Sequence, residues 1–138
     1  MNLKVVPVPT QYVNQTWAQV EAFIKSAEEK FGGAEYTTDQ IKVYLVTGQW
    51  MLLVAVDEQE VVHGAATASF INYPNDRVAF VTAIGGKLIS NPDTFKQMSD
   101  IFKANGATKI QGAAKEAIAR LWGRFGFEEK AILVEYKL

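Results

Sequence analysis

The sequence predicts an α/β domain over residues 1–138, in which helices cover a central mixed sheet. Three observations lead to this fold class. Apolar residues recur at helical spacing in four segments, and apolar runs of strand length lie between those segments. The middle strands are joined by short polar turns, whereas the later strands are separated by helices. The predicted order of elements is therefore β α α β β β α β α β.

The first strand is predicted over residues 3–8. Pro7 and Pro9 restrict it to an edge of the sheet, since proline cannot donate to a ladder. Asn14 is the expected N-cap of the first helix, and the pair Gly32 and Gly33 is its expected end. The apolar face of this helix comprises Trp17, Val20, Ile24, Ala27 and Phe31.

A second, short helix follows, with Thr37 or Thr38 as its cap and Asp39 in its first turn. Its apolar face comprises Ile41, Tyr44 and Leu45, and it is expected to end near Gly48.

Three consecutive strands form the centre of the predicted sheet. Residues 51–56 are continuously apolar, and the polar turn 57–60 leads into a strand over 61–70. A second turn at 73–76 carries the proline, asparagine and aspartate that favour hairpins, and the next strand covers 78–84. These strands are expected to pair antiparallel.

A helix is expected to connect the meander to a parallel strand. Gly85 and Gly86 are predicted to break the preceding strand, Ser90 or Asn91 with Pro92 to begin the helix, and residues 105–106 to end it. A short strand over 107–112, a helix over 114–125 and a final strand over 131–138 complete the chain. The unit from 78 to 112 is predicted to be a right-handed crossover.

Composition excludes several classes of protein. The chain has 49% hydrophobic and 21% charged residues, typical of a globular domain. No apolar run approaches the roughly 20 residues that cross a bilayer, so neither a membrane span nor a signal peptide is expected. The absence of cysteine excludes a thiolate nucleophile and fits a reducing compartment, from which we expect a cytoplasmic protein.

Charge and histidine content restrict the possible partners. The 14 basic and 15 acidic residues are scattered, and the densest basic stretch, residues 120–124, is interrupted by apolar residues. We therefore expect no nucleic-acid partner. Zinc sites need several ligands in close spacing, and His63 is the single histidine, so no metal is expected.

Residues 117–128, AIARLWGRFGFE, describe a helix that ends in a Gly-Phe pair before a strand. With the order of elements, this segment resembles the GNAT N-acetyltransferase superfamily, and the resemblance covers nearly the whole chain. Gly126 is expected in a left-handed turn, with Phe127 anchoring that turn in the core. The resemblance implies acyl transfer from acetyl-CoA to an amine.

The resemblance also implies a binding site for acetyl-CoA where the crossover helix begins. In the family, backbone amides of a Gly-rich loop hold the pyrophosphate, because helix N-termini attract anions. The corresponding residues here are Gly85, Gly86, Lys87 and Ser90. Backbone amides of Thr82, Ala83 and Ile84 would polarise the acyl carbonyl. The alternative is a plain strand-to-helix turn, since the usual glycine spacing is absent and Pro92 lacks an N–H.

Two chemical groups that many family members use are missing. Trp122 stands where the family often has a tyrosine general acid, and indole does not ionise usefully. The strand over 77–84 contains no acidic residue that could serve as a general base. We expect Trp122 to pack in the core, and the active site to be degenerate.

The region between the first two helices shapes the acceptor site in the family. Glu35, Tyr36 and Asp39 lie there and are candidates for binding a cationic amine, with a capped and solvated loop as the alternative. His63 has an imidazole suitable for acid-base work, but without a recognisable partner a structural or surface role is expected.

Two functions remain open from the sequence. The first is an acyl-CoA-dependent N-acyltransferase, or a relative that binds CoA, whose partner is a small-molecule or protein amine. The second is a non-catalytic GNAT-like protein that acts through a protein partner, such as the small GNAT-like proteins of some bacteriophage genomes. Catalysis is uncertain because fold and function are separate claims.

Overall fold

A five-stranded sheet organises the chain. The computed structural model describes residues 2–30 and 35–138, and of Glu28, Glu29, Lys30 and Ile89 the backbone alone. The strands are β1 Lys4–Val8, β2 Met51–Val56, β3 Val62–Asn72, β4 Arg77–Gly86 and β5 Lys109–Gly112. The helices are α1 Val13–Lys30, α2 Thr38–Val46, α3 Lys87–Ser90, α4 Pro92–Ala104 and α5 Glu116–Gly123. None of the helices described is long and apolar enough to span a membrane.

The sheet is mixed, as the sequence predicts. Its strands lie in the order β1-β2-β3-β4-β5, antiparallel from β1 to β4 and parallel between β4 and β5. The two hairpin turns explain the antiparallel pairing from β2 to β4, and the helices between β4 and β5 allow the parallel pair. β1 pairs antiparallel with β2 across the longer connection that contains α1 and α2. The expected α/β fold class and the edge position of β1 are confirmed.

Each face of the sheet is covered by its own core. The α4 core contains Leu53, Ala79, Val81, Ile84, Leu88, Met98, Phe102 and Trp122 among its buried residues. The α1 core, on helices α1 and α2, contains Val13, Trp17, Val20, Ile24, Ile41, Leu45, Leu52 and Ala83. Short residues in β3 and β4 let the helices approach closely on both faces.

The predicted final strand is not formed. Residues 128–138 have no regular secondary structure and are all exposed, with Ile132 at 89% and Val134 at 83% of full exposure. The alternating apolar pattern of residues 131–138 favours a strand by local propensity. A strand also needs a paired neighbour, however, and the sequence pattern does not specify one.

The start of α1 also differs from the prediction. A 3₁₀ turn at Thr10–Tyr12 leads directly into α1 at Val13, so Asn14 lies inside the first helical turn instead of capping it. Val13, the first residue of α1, is buried at 1% exposure. The expected end at Gly32 and Gly33, and Phe31, lie outside the described residues.

The second helix begins as predicted. Thr37 is its N-cap, and Thr37 and Gln40 form a reciprocal capping box, with Gln40 N–H donating to Thr37 Oγ1 at 3.2 Å.

Strand β4 ends at the second of its two glycines. Gly85 and Gly86 remain in β4 and pair with Ala65 and Gly64 of β3, so the strand runs two residues beyond its predicted end at residue 84 and breaks at Gly86. The crossover then begins with the short helix α3, and α4 follows with Asn91 as its N-cap and Pro92 in its first turn, as predicted.

Candidate functional site

A β-bulge interrupts the pairing of β3 and β4 at Thr82. Thr67 pairs with Ala83 while the next residue, Ala68, pairs with Val81, so Thr82 is the extra residue. Thr67 is fully buried, and its hydroxyl lies 2.7 Å from the Thr82 hydroxyl, in a hydrogen bond that either can donate. This hydrogen bond holds the extra residue of β4 against β3.

The bulge changes which side chains face the two cores. Ala79, Val81 and Ile84 belong to the α4 core, whereas Ala83 belongs to the α1 core. Thr82 and Ala83 therefore both lie on the α1 side, although side chains normally alternate along a strand.

Strands β4 and β5 separate where the bulge lies. Their pairing ends at Val81 and Gly112, and β4 continues for five more residues. The opening forms a small cavity of about 80 Å³, bounded by both strands, α1 and the start of α2. Its lining comprises Ile24, Ala27, Glu35, Tyr36, Ile41, Phe80, Val81, Thr82, Ala83 and Ala113. We call it the β4–β5 cleft.

Four of the residues singled out in the sequence meet in this cleft. Thr82 and Ala83 come from β4, and Glu35 and Tyr36 come from the segment before α2. The cleft thus combines the expected carbonyl-polarising backbone with two of the three expected amine-binding residues. The third, Asp39, is exposed in the first turn of α2 and does not line the cavity.

An aromatic cluster supports the Tyr36 wall of the cleft. The Tyr36 ring meets Trp50 edge to face at 4.8 Å between centroids, and Trp50 stacks on Tyr44 at 4.3 Å. Tyr36 also packs edge-on against Tyr44 at 5.7 Å. Such contacts fix the orientation of the tyrosine ring, while Tyr36 itself remains exposed at the surface.

Gly85 and Gly86 are packed against α1. A Cβ atom at Gly85 would lie 2.6 Å from the Phe23 carbonyl oxygen, so α1 occupies that space. Gly86 has φ of 67°, and a Cβ there would overlap the His63 carbonyl oxygen and lie 2.8 Å from Cε1 of Phe23. The close approach of α1 and β3 therefore explains why both positions hold glycine, which has no Cβ atom. Ile84, the third expected carbonyl-polarising residue, has its side chain buried in the α4 core.

The second helix of the crossover, α4, uses two of its N-terminal hydrogen-bond donors. Lys87 and Ser90 are exposed in the four-residue α3. At the α4 N-terminus the Asn91 side chain accepts from the N–H groups of Asp93 and Thr94, at 2.9 and 3.4 Å. Pro92 has no N–H, and the carboxylate of Asp93 would repel a phosphate. The N-terminus of α4 is therefore a poor site for a pyrophosphate.

Trp122 is buried, as predicted, and lies beside the end of β5. It is 6% exposed, and a Cβ at Gly112 would lie 2.7 Å from its Cζ3 atom. Its ring also packs on Phe127 at 5.1 Å. Gly126 has φ of 101°, which confirms the expected left-handed turn.

His63 has a partner that sequence reasoning missed. Its Nε2 lies 2.8 Å from Oδ2 of Asp57, and the other carboxylate oxygen of Asp57 accepts from the N–H groups of Gln59 and Val61. The hydrogen bond from His63 is the main cause that lowers the pKa of Asp57, followed by the one from Val61. The pair closes the β2–β3 turn and lies outside the lining of the cleft.

Comparisons with known proteins identify the fold. No protein-family model and no curated protein sequence matches the chain. Solved acetyltransferase structures match over nearly its whole length. An aminoglycoside acetyltransferase, meta-AAC0020 from an uncultured soil metagenomic sample, in complex with sisomicin, has a TM-score of 0.70 at 13% identity, covering 99% of this chain and 96% of that one.

Two further structures give the same result. A predicted acetyltransferase with acetyl-CoA from Clostridium acetobutylicum matches with a TM-score of 0.65 at 12% identity, covering 99% and 96%. The aminoglycoside antibiotic 6'-N-acetyltransferase AAC(6')-Ih from Acinetobacter baumannii matches at 0.64 and 16% identity, covering 99% and 98%. The chain therefore has the GNAT acetyltransferase fold, and the resemblance found in the sequence is confirmed at the level of fold.

Sequence reasoning missed several residues of the cleft. Phe80 and Ala113 line it, and Tyr44 and Trp50 support Tyr36 from behind. Tyr44 and Trp50 lie close in sequence to Tyr36 and the predicted second helix, and this could have indicated an aromatic cluster there. The bulge at Thr82 had no such indication, because a run of small and β-branched residues reads equally well as a continuous strand.

Proposed function

We propose that this chain is a non-catalytic binding protein with the GNAT fold, and that its β4–β5 cleft receives an amine group of a partner. The observation that supports this proposal is that the glycines which the resemblance assigns to the acyl donor pack closely against other parts of the fold. Helix α1 packs on Gly85 and Gly86, and Asn91 caps the amides of α4.

The chemical groups around the cleft support binding in preference to catalysis. The described lining of the cleft contains one ionisable carboxyl, Glu35, and one phenol, Tyr36. The hydroxyl of Thr82 is engaged by Thr67, and Trp122 packs on Gly112, so neither is arranged to exchange protons with a ligand. General acid–base catalysis needs a group within reach whose pKa suits the task.

A protonated amine fits the chemistry of this lining. Glu35 supplies negative charge and Tyr36 an aromatic face, both of which attract ammonium groups. The volume of about 80 Å³ is two to three times the roughly 30 Å³ that a water molecule occupies in the liquid, so it admits an ammonium head with a few methylenes. A lysine side chain of a protein partner has this size and charge.

A thermal-shift experiment with two ligands tests the proposal. A ligand at about 100 times its dissociation constant stabilises a protein by about 2.7 kcal/mol, which corresponds to about 10 °C in Tm at this size. We expect millimolar acetyl-CoA to shift Tm by less than about 1 °C. Cadaverine, a diamine with the side-chain chemistry of lysine, should stabilise the parent, with Glu35→Gln abolishing the effect and Asp39→Asn preserving it.

Two results would contradict this proposal. A shift near 10 °C with acetyl-CoA that Lys87→Glu abolishes would establish a donor site at the crossover. Equal loss of the cadaverine effect in the Glu35 and Asp39 variants would remove the cleft as the amine site, since Asp39 lies outside the cavity.

Acyl transfer is the second candidate function. The separation of β4 from β5 at the Thr82 bulge favours it, because this opening gives an acceptor amine access to the β4 backbone beyond Val81. The neighbours in solved structures are acetyltransferases, two of them acting on aminoglycosides. Under this function the chain would act by orienting the amine. Release of free thiol from acetyl-CoA that depends on added amine and on Glu35 would establish it.

A further inference from the structure

The free edge of β5 adjoins a hollow much larger than the cleft. In the described part of the chain β5 is the last strand of the sheet, and it pairs on one side with β4. A groove of about 780 Å³ lies between β5, α4 and residues 125–130. We call it the β5-edge groove.

The walls of this groove combine incompletely covered aromatic and aliphatic side chains with charged ones. The charged residues are Lys103, Lys109, Glu128, Glu129 and Lys130. Phe95 of α4 stacks on Phe125 at 4.9 Å between centroids and meets Phe127 at 5.6 Å. Phe95, Ile110, Phe125 and Phe127 are half-buried and pack against the α4 core. No residue of β5 is buried, whereas most residues of β4 are. The α4 core therefore lacks a cover at its β5 end.

The backbone of β5 also offers hydrogen bonds on this side. Thr108 N–H donates to the Arg77 carbonyl, on the β4 side. Because the backbone groups of successive residues in a strand point to opposite edges, those of Lys109 and Gln111 face the free edge. Such an edge accepts a further strand.

The C-terminal segment, residues 131–138, has the pattern of the missing strand. Its even-numbered residues, Ile132, Val134, Tyr136 and Leu138, are all apolar, and its odd-numbered residues include Glu135 and Lys137. Ile132, Val134 and Tyr136 are between 83% and 89% exposed. An extended segment of this kind would present one wholly apolar face and one mixed face, the latter made of Ala131, Leu133, Glu135 and Lys137.

The segment does not return to its own groove. Residues 125–130 form one wall of the groove, and the chain leaves the body after them, with every residue from 128 to 138 exposed. The acceptor edge, the uncovered core and the amphipathic segment are thus all present in one chain but do not meet within it. Two copies related by a two-fold axis would bring each segment to the other copy's edge.

We propose that this protein forms a dimer by exchange of its C-terminal segments. Residues 131–138 of one copy add a strand to the β5 edge of the other, with Ile132, Val134, Tyr136 and Leu138 covering the partner's groove. Glu135 and Lys137 lie on the opposite face of the added strand, together with Gln111. The exchange removes both free β5 edges and buries both exposed segments.

The oligomeric state of the full chain is the first test. Light scattering after size exclusion should give a mass near twice 15.3 kDa. Val134→Asp should raise the dimer dissociation constant by about 100-fold or more, because it removes an apolar side chain from the seam and places a carboxylate against the aromatic side chains of the groove. Leu133→Asp makes the same change on the neighbouring residue of the opposite face and should leave the dimer intact. Circular dichroism would check that each variant remains folded.

A disulfide experiment identifies which chain supplies the strand. The protein has no cysteine, so only the introduced thiols can form a disulfide. Oxidising a mixture of Gln111→Cys and Glu135→Cys chains, distinguished by a mass tag, should link the two different chains. The control, Lys4→Cys with Glu135→Cys, places the thiol on the exposed face of β1 and should not link.

Three outcomes would overturn the exchange. The first is a monomeric mass for the full chain. The second is an equal effect of the aspartates at Val134 and Leu133. The third is a disulfide that forms within a single chain carrying both Gln111→Cys and Glu135→Cys while the mixture stays unlinked, which would place the segment on its own β5.

Discussion

The two edges of the sheet are finished in different ways. At the β1 edge the side chain of Gln97 reaches from α4, accepting from Val5 N–H at 2.8 Å and donating to the Leu3 carbonyl at 2.9 Å. Pro7 further blocks pairing along that edge. At the β5 edge the backbone of Lys109 and Gln111 has no comparable cover in the part of the chain described, and the groove beside it is open.

The β1 edge is therefore closed within one chain, whereas the β5 edge is available for association with another strand. Both strands are short, so length does not distinguish them. What distinguishes them is whether a side chain of the same molecule satisfies the outward backbone groups. The position of Gln97 on the crossover helix therefore decides that β1, and not β5, is closed within one chain.

The largest effect is expected at the β5 end, where Trp122 joins strand and helix. Trp122→Ala should lower the free energy of unfolding by about 3 to 5 kcal/mol, because it leaves a cavity against Gly112 and Phe127. Trp122→Phe should cost much less. Urea denaturation measures both, and an alanine variant as stable as the parent would contradict the packing at β5.

Alanine substitutions at two glycines with positive φ compare the packing of the centre of the sheet with that of its β5 end. Gly86→Ala should cost more than about 3 kcal/mol, since a backbone conformation that only glycine adopts easily is combined with overlap on His63 and Phe23. Gly126→Ala meets no atom within 4 Å and should cost only the roughly 1 to 2 kcal/mol of its φ. Similar melting temperatures for the two variants would contradict this ranking.

Matched glutamine substitutions test the two edges directly. Gln97→Leu should lower the free energy of unfolding by about 1 to 3 kcal/mol, because Val5 N–H and the Leu3 carbonyl lose their partner. Gln111→Leu should change it by less than about 0.5 kcal/mol, as for other surface positions. Chemical denaturation of the two variants measures the difference, and a reversed order would mean that the β1 edge is not closed by Gln97.

The smallest effect concerns acid stability at the start of β5. Hydrogen bonds from Lys109 and then Thr108 lower the pKa of Asp76 from its usual 3.8. Because the folded pKa lies below the unfolded one, Asp76 stabilises the fold above about pH 3.8, and this contribution is lost as pH falls through the folded pKa. Tm measured against pH should therefore fall less steeply below pH 4 for Asp76→Asn than for the parent.

Much of the fold follows from the sequence because local chemistry decides it. The cap at Thr37, the three strands of the meander, Asn91 with Pro92 at the start of α4 and the turn at Gly126 are each fixed by neighbouring residues. The predicted burial of Trp122 follows from helical spacing.

The errors concern contacts between distant parts of the chain. Gly85 and Gly86 resemble a strand break in the sequence, but they are the residues on which α1 packs. The partner of His63 is six residues away across a turn and appears only once that turn is formed. The C-terminal segment has a strand pattern without a neighbour in its own chain.

The cleft could be predicted only in part. The resemblance directs attention to Thr82, Ala83, Glu35 and Tyr36, which the structure brings together, but also to Lys87, Ser90 and Asp39, which lie elsewhere on the surface. Separation of β4 from β5 depends on the register of four paired residues, and no local sequence pattern encodes that register.

The bulge at Thr82 reverses, along β4, which of the alternating residues face the α4 core. Before it the odd-numbered residues Ala79 and Val81 face the α4 core, and after it the even-numbered Ile84 does. A regular ladder that kept residue 82 would turn every later residue of β4 to the opposite face, moving Ile84 toward α1 and Ala83 away from the cleft. Deleting position 82 would instead leave Ala83 and Ile84 on their present faces, because the residues that pair with Thr67 and Ala68 would then be consecutive. The bulge thus absorbs one residue of extra length in β4, so a deletion at position 82 would remove the bulge and its Thr67–Thr82 hydrogen bond while leaving both cores in register.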